Sequence, residues 1–112
     1  MANTFKLKTL DKSTYTADVL ETLYTVPGST TAVVLGVSVT NITGSGIEVD
    51  IQIVDASPST SVYWVKDTSL DSGGVLEMMS GNKIVLETGD IIKVATNTTN
   101  SFNATISVME IT

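Results

Sequence analysis

The sequence predicts an all-β protein: an antiparallel β-sandwich of about eight strands, jelly-roll-like, preceded by an extended N-terminal arm. Three observations carry this. Apolar residues alternate with polar ones at a period of two in four runs. These are Val33, Leu35, Val37 and Val39; Ile47, Val49, Ile51 and Ile53; Ile92 and Val94; and Phe102, Ala104, Ile106 and Val108. That period places one side of a strand in a core and the other toward solvent. Val, Ile and Thr supply 41 of the 112 residues, and these types fit a pleated sheet. Clusters of Gly, Pro, Asn, Asp and Ser punctuate the chain at intervals of roughly 8 to 15 residues, the spacing of sandwich strands.

Each element follows in order. Residues 1–18 hold three of the six Lys, at Lys6, Lys8 and Lys12, alternating in part with Phe5 and Leu7. They read as a short strand and a polar connection, either a tail pairing at an edge or an arm that adds a strand to a neighbouring subunit. Residues 19–112 form the single sandwich domain. Val19–Val26 is its first strand and ends at Pro27-Gly28, which suits a type II turn. Ala32–Ile42 follows, and Thr43-Gly44-Ser45-Gly46 turns into Ile47–Asp55, with glycine supplying positive φ. A loop around Ser57-Pro58-Ser59 leads to Ser61–Asp67, which carries Tyr63 and Trp64. Being adjacent, the two rings point to opposite sides; Trp64 is the core residue and Tyr63 the exposed one. Asp71-Ser72-Gly73-Gly74 precedes Val75–Met79, and Lys83–Glu87 follows Ser80-Gly81-Asn82. Thr88-Gly89-Asp90 turns into Ile91–Thr96, with Asp90 accepting backbone hydrogen bonds, and Asn97–Asn100 closes into Ser101–Ile111. The connections are too short for crossover helices, so the sheets are antiparallel. An immunoglobulin-like sandwich is the alternative, but its Trp comes earlier and a Cys pair is usual.

The composition excludes much chemistry. The chain has no His, no Cys and no Arg, and its net charge is −6. Without His or Cys, His-based nucleophilic catalysis and zinc, copper or iron sites are not expected. An acidic, Arg-free surface disfavours nucleic acid and anionic membrane alike. The start of the chain lacks the apolar core of a secretory signal, so synthesis in a cytoplasm is expected. Ser80-Gly81-Asn82-Lys83 has Ser–Lys spacing, but its Gly-Asn centre reads as a turn. Asp50, Asp55, Asp67 and Asp71 lack calcium-loop spacing, and Glu48 and Asp50 are the only carboxylate pair considered for glycoside hydrolysis. The Asn-x-Thr triplets at Asn41, Asn97 and Asn103 read as chance in a Thr-rich chain. No enzyme activity, cofactor or metal is expected.

The order of segments carries a resemblance. Leu23-Tyr24-Thr25-Val26-Pro27, the run Thr31–Asn41, the Leu86–Asp90 turn with its flanking strands, and Ile106–Ile111 together resemble small virion structural proteins of tailed bacteriophages, especially phages of cyanobacteria and other aquatic bacteria. The resemblance spans residues 19–112. It implies a β-sandwich structural subunit located in the virion and made in the host bacterial cytoplasm. The first expectation is a capsid decoration (cement) protein that stabilises the head shell as a dimer or trimer and contacts the major capsid protein. The arm would clamp a shell neighbour and its Lys would meet acidic surface. The second is a neck, tail or fibre subunit that attaches to a host surface through Tyr63 and the 56–60 loop. The candidate partner-contact residues are Phe5, Lys6, Leu7, Lys8, Lys12 and Tyr63. The outward residues of the longest strand, expected to be Val34, Gly36, Ser38 and Thr40, offer a further semi-polar face for another subunit.

Overall fold

The computed structural model describes residues 2–57, 59–78 and 83–112. The loop residue Pro58, the strand end Met79 and the Ser80-Gly81-Asn82 part of the Ser–Lys motif lie outside them. The described residues form nine strands and no helix: β1 (Asn3–Lys12), β2 (Glu21–Thr25), β3 (Thr31–Asn41), β4 (Ile47–Asp55), β5 (Thr60–Leu70), β6 (Val75–Met78), β7 (Ile84–Leu86), β8 (Ile91–Thr96) and β9 (Phe102–Ile111).

One sheet runs β1-β9-β3-β6, with β7 also beside β3, and the other runs β2-β8-β4-β5. Every pairing is antiparallel. Strands β6 and β7 pair with successive stretches of β3, Val37–Thr40 and Ala32–Val34, so they share one place in the sheet. Two four-position sheets in this order make a jelly roll, a β-sandwich of eight places.

The strand pairing shows no division at residue 18. Residues 3–12 run beside β9 through ten pairs, from Asn3 opposite Ile111 to Lys12 opposite Phe102. The expected arm is therefore the edge strand of the first sheet, paired within its own chain. The connection to β2 is pinned by Tyr15, whose ring meets Phe102 edge-on at 5.0 Å. The Tyr15 hydroxyl donates to the Val19 carbonyl and accepts from the Thr96 amide.

The core lies between the sheets. Ile47, Val49, Ile51, Ile92, Val94, Phe102, Ala104, Ile106 and Val108 are all buried, as their alternation requires. Trp64 is partly buried against this core. Strand β3 departs from the expected pattern. Its register with β9 shifts between Val34 and Gly36, leaving Leu35 in a bulge. The extra residue reverses the phase of the strand. Ala32 and Val34 face inward before it, Val37 and Val39 after it, and Val33 and Leu35 are only half-buried. Val34, expected on the outside, is completely buried.

Two turns also differ from expectation. Neither Gly28 nor Gly44 nor Gly46 has positive φ; after Pro27 the left-handed residue is Ser29 at φ 54°. The β3–β4 turn is held instead by Asn41, which is 1% exposed. Its side-chain amide donates to the carbonyls of Ser45, Leu70 and Asp71, and its Oδ1 accepts from the Thr43 amide and hydroxyl. A side chain that supplies the turn's hydrogen bonds removes the need for a glycine conformation. The same engagement explains why an Asn-x-Thr triplet begins here: Asn41 is a buried clamp.

Candidate functional site

A sandwich offers partners its two outer faces and its edges. On β9 the buried residues are Phe102, Ala104, Ile106, Val108 and Glu110, so Asn103, Thr105, Ser107, Met109 and Ile111 point outward. Cross-strand partners share a face, so register assigns the rest. Phe5 lies opposite Met109 and Leu7 opposite Ser107, placing both on the outer face of the first sheet. They are 71% and 62% exposed.

That face holds a continuous apolar rung. Phe5 is opposite Met109, Met109 is opposite Val33, and Val33 is opposite Val85. The rung crosses β1, β9, β3 and β7, and Val85 is 61% exposed. Beside it are Ser107, Gly36, Ser38, Thr105 and Glu77, which line a shallow hollow next to the β3 bulge. Among the described residues the register puts Asp11 and Glu77 on this face, and the exposed Lys83 and Glu87 flank Val85 at its rim. Phe5 and Leu7 were legible from their alternation with lysine. Met109 and Val85 were missed, and the available signal was an apolar residue standing at a polar-phase position; Val33 was expected in the core run and faces outward because of the bulge at Leu35.

The lysines of β1 point the other way. Lys6, Lys8 and Lys12 are opposite Val108, Ile106 and Phe102, all inward-facing, and of the inward positions only Leu10 adds an apolar side chain to the core. Lys6 Nζ is 3.0 Å from Glu110, and Lys12 Nζ is 3.2 Å from Glu21 on β2. These pairs close the open side of the sandwich between β1 and β2. Glu110 is 4% exposed and also accepts a hydrogen bond from the Tyr24 hydroxyl. That bond first, with Lys6 second, holds the Glu110 carboxyl below its usual range against the opposing effect of burial. Burial and the adjacent carboxylate push the Tyr24 phenol well above its ordinary value. Two of the three lysines expected to meet a partner are thus occupied within the chain, and Lys8 lies between them. Inward charges of this kind guard an edge strand against indiscriminate pairing.

Tyr63 sits on the opposite outer face. It is 47% exposed and opposite Gln52 on β4, with Lys66 Nζ 4.8 Å from its ring centre. This face is charged: Glu48, Asp50, Lys66, Asp67 and Lys93 lie on or beside it. Asp50 accepts from Lys66 at 3.3 Å and from the Asp67 amide at 2.7 Å. The hydrogen bond to Asp50 raises the Lys66 ammonium above its ordinary value. The fold therefore brings Phe5 and Leu7 together and separates them from Tyr63 by the full thickness of the sandwich.

One end of the sandwich is built around Asp90, which is 6% exposed. Its two carboxylate oxygens accept from the amides of Ala56 at 2.9 Å and Glu87 at 2.8 Å. Its carbonyl accepts from Val26, and Gly89, at φ 89°, has its amide on the Val26 carbonyl. The Asp90 side chain thus ties the β4–β5 loop to the β7–β8 turn, and its backbone carbonyl adds the end of β2, more than the turn-local role expected of it. Its oxygens are spent on backbone amides, so its chemistry is structural.

No protein-family model matches the chain, and no curated protein sequence matches it. Among solved structures, a chain in the acidic stable capsid of Helicobacter pylori bacteriophage KHP30 is similar in fold, with a TM-score of 0.55 at 13% identity. The match covers 98% of this chain and 87% of that one. The globular domain of zebrafish complement 1qA also aligns, over 97% of this chain and 94% of that domain, with a TM-score of 0.41 and 14% identity. What the capsid chain shares with this one across its length is the sandwich fold.

Proposed function

We propose that this chain is a non-catalytic structural subunit of a bacteriophage virion, a decoration (cement) protein that binds the head shell and stabilises it. The observation that carries this reading is the fold match to a phage capsid chain over 98% of the residues. The phage-like order of sequence segments agrees with it. So does the character of the surface, where the least charged area is a broad sheet face and the conspicuous exposed side chains are apolar. Such a molecule acts by contact. Its partners are virion proteins, the major capsid protein first, and further copies of itself.

A neck, tail or fibre subunit is the second reading, favoured by Tyr63 standing exposed on the charged face. The deciding experiment is an electron-microscopy map, at side-chain resolution, of particles of the phage that encodes the chain. Density for this jelly roll at regular positions on the outer head shell is the expected result. Density confined to the neck or fibres selects the second reading. Absence of the chain from purified particles overturns both.

A further inference from the structure

We infer that the outer face of the first sheet is the contact of a symmetric homodimer, in which the apolar rung of one copy packs reversed on the rung of another. The inference deepens the virion reading by naming one partner, a second copy of this chain, and the surface that holds it.

Charge argues for the occupant. Each copy carries −6, so copies repel wherever charged faces approach. Among the described residues the outer face of the first sheet carries Asp11 and Glu77 in its strand register, with Lys83 and Glu87 at the rim beside Val85, and is where two copies meet at least cost. A partner selected by charge would find little to read there, whereas an identical face is matched to it by default.

Order along the rung argues for the symmetry. Across the sheet the rung reads Phe5, Met109, Val33, Val85. A two-fold axis lying along the face between β9 and β3 reverses it, setting Phe5 over the partner's Val85 and Met109 over the partner's Val33. Every apolar member then meets an apolar member. Going along the sheet, Thr9 falls opposite the partner's Glu77 and Asp11 opposite the partner's Val75, so no like charges stand directly opposite, and Asp11 lies two residues along from the partner's Glu77. Leu7 is directed toward the side of the hollow beside Gly36 and Met78. Such a contact is isologous: one patch serves both copies.

Area is sufficient. Four strand positions at ~4.8 Å spacing and ten residues at ~3.3 Å per residue cover about 600 Å² per copy, or about 1,200 Å² for the pair. That lies at the lower bound for specific association, about 1,200 Å² in total.

The test reads self-association without particles, so its failure and that of the virion reading are distinguishable. Sedimentation velocity of the purified chain at tens of micromolar should give twice the mass of one chain. Phe5→Glu and Val85→Lys should each weaken association by about tenfold or more, with circular dichroism unchanged, and with melting unchanged when read at a concentration low enough for every form to be monomeric, because both side chains are exposed. The double variant Phe5→Glu/Val85→Lys puts opposite charges across the two-fold and should restore the dimer. A single Ser107→Cys, in a chain otherwise free of cysteine, should join two copies through a short bifunctional maleimide, whereas Ser69→Cys on the other face should not. A monomeric native chain, a trimer, a dimer indifferent to both single charges, or failure of the double variant to restore it overturns the inference. Loss of particle binding with the dimer intact counts against the virion reading alone.

Discussion

The two outer faces of this sandwich are made of the same kind of strand and differ in what their side chains have to do. On the face carrying Tyr63, Asp50, Lys66 and Asp67 satisfy one another. On the face carrying Phe5 and Leu7, the register adds two charges among the described residues, and the other exposed side chains are apolar, hydroxylic or amide. A monomer in water gains nothing from a sheet face that is both sparsely charged and studded with Phe, Leu, Met and Val, because each exposed ring or branched chain retains its cost of hydration. The charged face is finished by the chain itself; the sparsely charged one leaves its apolar side chains in water unless a second copy covers it. The lysines of β1 sharpen the contrast, since they are turned away from the sparsely charged face and occupied at its rim by Glu110 and Glu21.

The strongest way to break this comparison is to test which side of β3 belongs to the face. Val34→Asp places a carboxylate in the completely buried position and should cost about 4 kcal/mol or more, enough to abolish cooperative unfolding. Val33→Asp, one residue earlier, should cost under about 1 kcal/mol in the same urea titration. Equal effects would move Val33 into the core and dissolve the apolar rung.

How far the sequence displayed this follows from those two residues. Strands β4, β8 and β9 keep one phase from end to end, so their core residues could be read directly. In β3 the apolar residues at 33, 34, 35, 37 and 39 satisfy two phases, and only pairing with β9 reveals the bulge that joins them. The start of the chain posed a different difficulty. Alternation identified a strand at Phe5–Lys8, but its inward side shows lysine instead of valine, so nothing local announced that it pairs with β9, about a hundred residues away. The same distance hid Lys6–Glu110, and the crossing from β1 to β2 in the other sheet hid Lys12–Glu21, so the lysines looked free. Asn41 and Asp90 were visible as turn residues; their reach to other loops was not.

A second prediction sets an internal polar anchor against exposed face residues. Asp90→Ala leaves the Ala56 and Glu87 amides without acceptors and should cost about 2–4 kcal/mol by chemical denaturation. A loss that small surface changes could match would remove Asp90 from its place joining the two sheets.

The next tests the rim. Glu110 is held below its usual range in the fold, so its contribution is full at neutral pH. It disappears as the pH falls through the folded value, when the unfolded chain has already taken up its proton. Glu110→Gln should lose about 1–2 kcal/mol at neutral pH and flatten the acid branch of stability against pH. An unchanged acid branch would assign that branch to other carboxylates.

The smallest effect is expected on the charged face. Lys66→Ala removes an exposed partner of Asp50 and Asp67 and should leave the melting temperature and the oligomeric mass unchanged, since exposed ion pairs contribute little. A change in mass would move the subunit contact to the wrong side of the sandwich.

The bulge at Leu35 has one more consequence. It lets a single strand carry two out-of-step patterns, one addressed to the interior before and after it, the other addressed outward at Val33. Deleting that one residue would remove the bulge and leave strict alternation, with Ala32, Val34, Val37 and Val39 still inward and Val33 still outward. Straightening the strand with Leu35 retained would instead force a choice: either the half of β3 before it or the half after it must turn over, exchanging core valine for surface valine with no change in composition. The contact face of this fold thus depends on where β3 houses its one surplus residue.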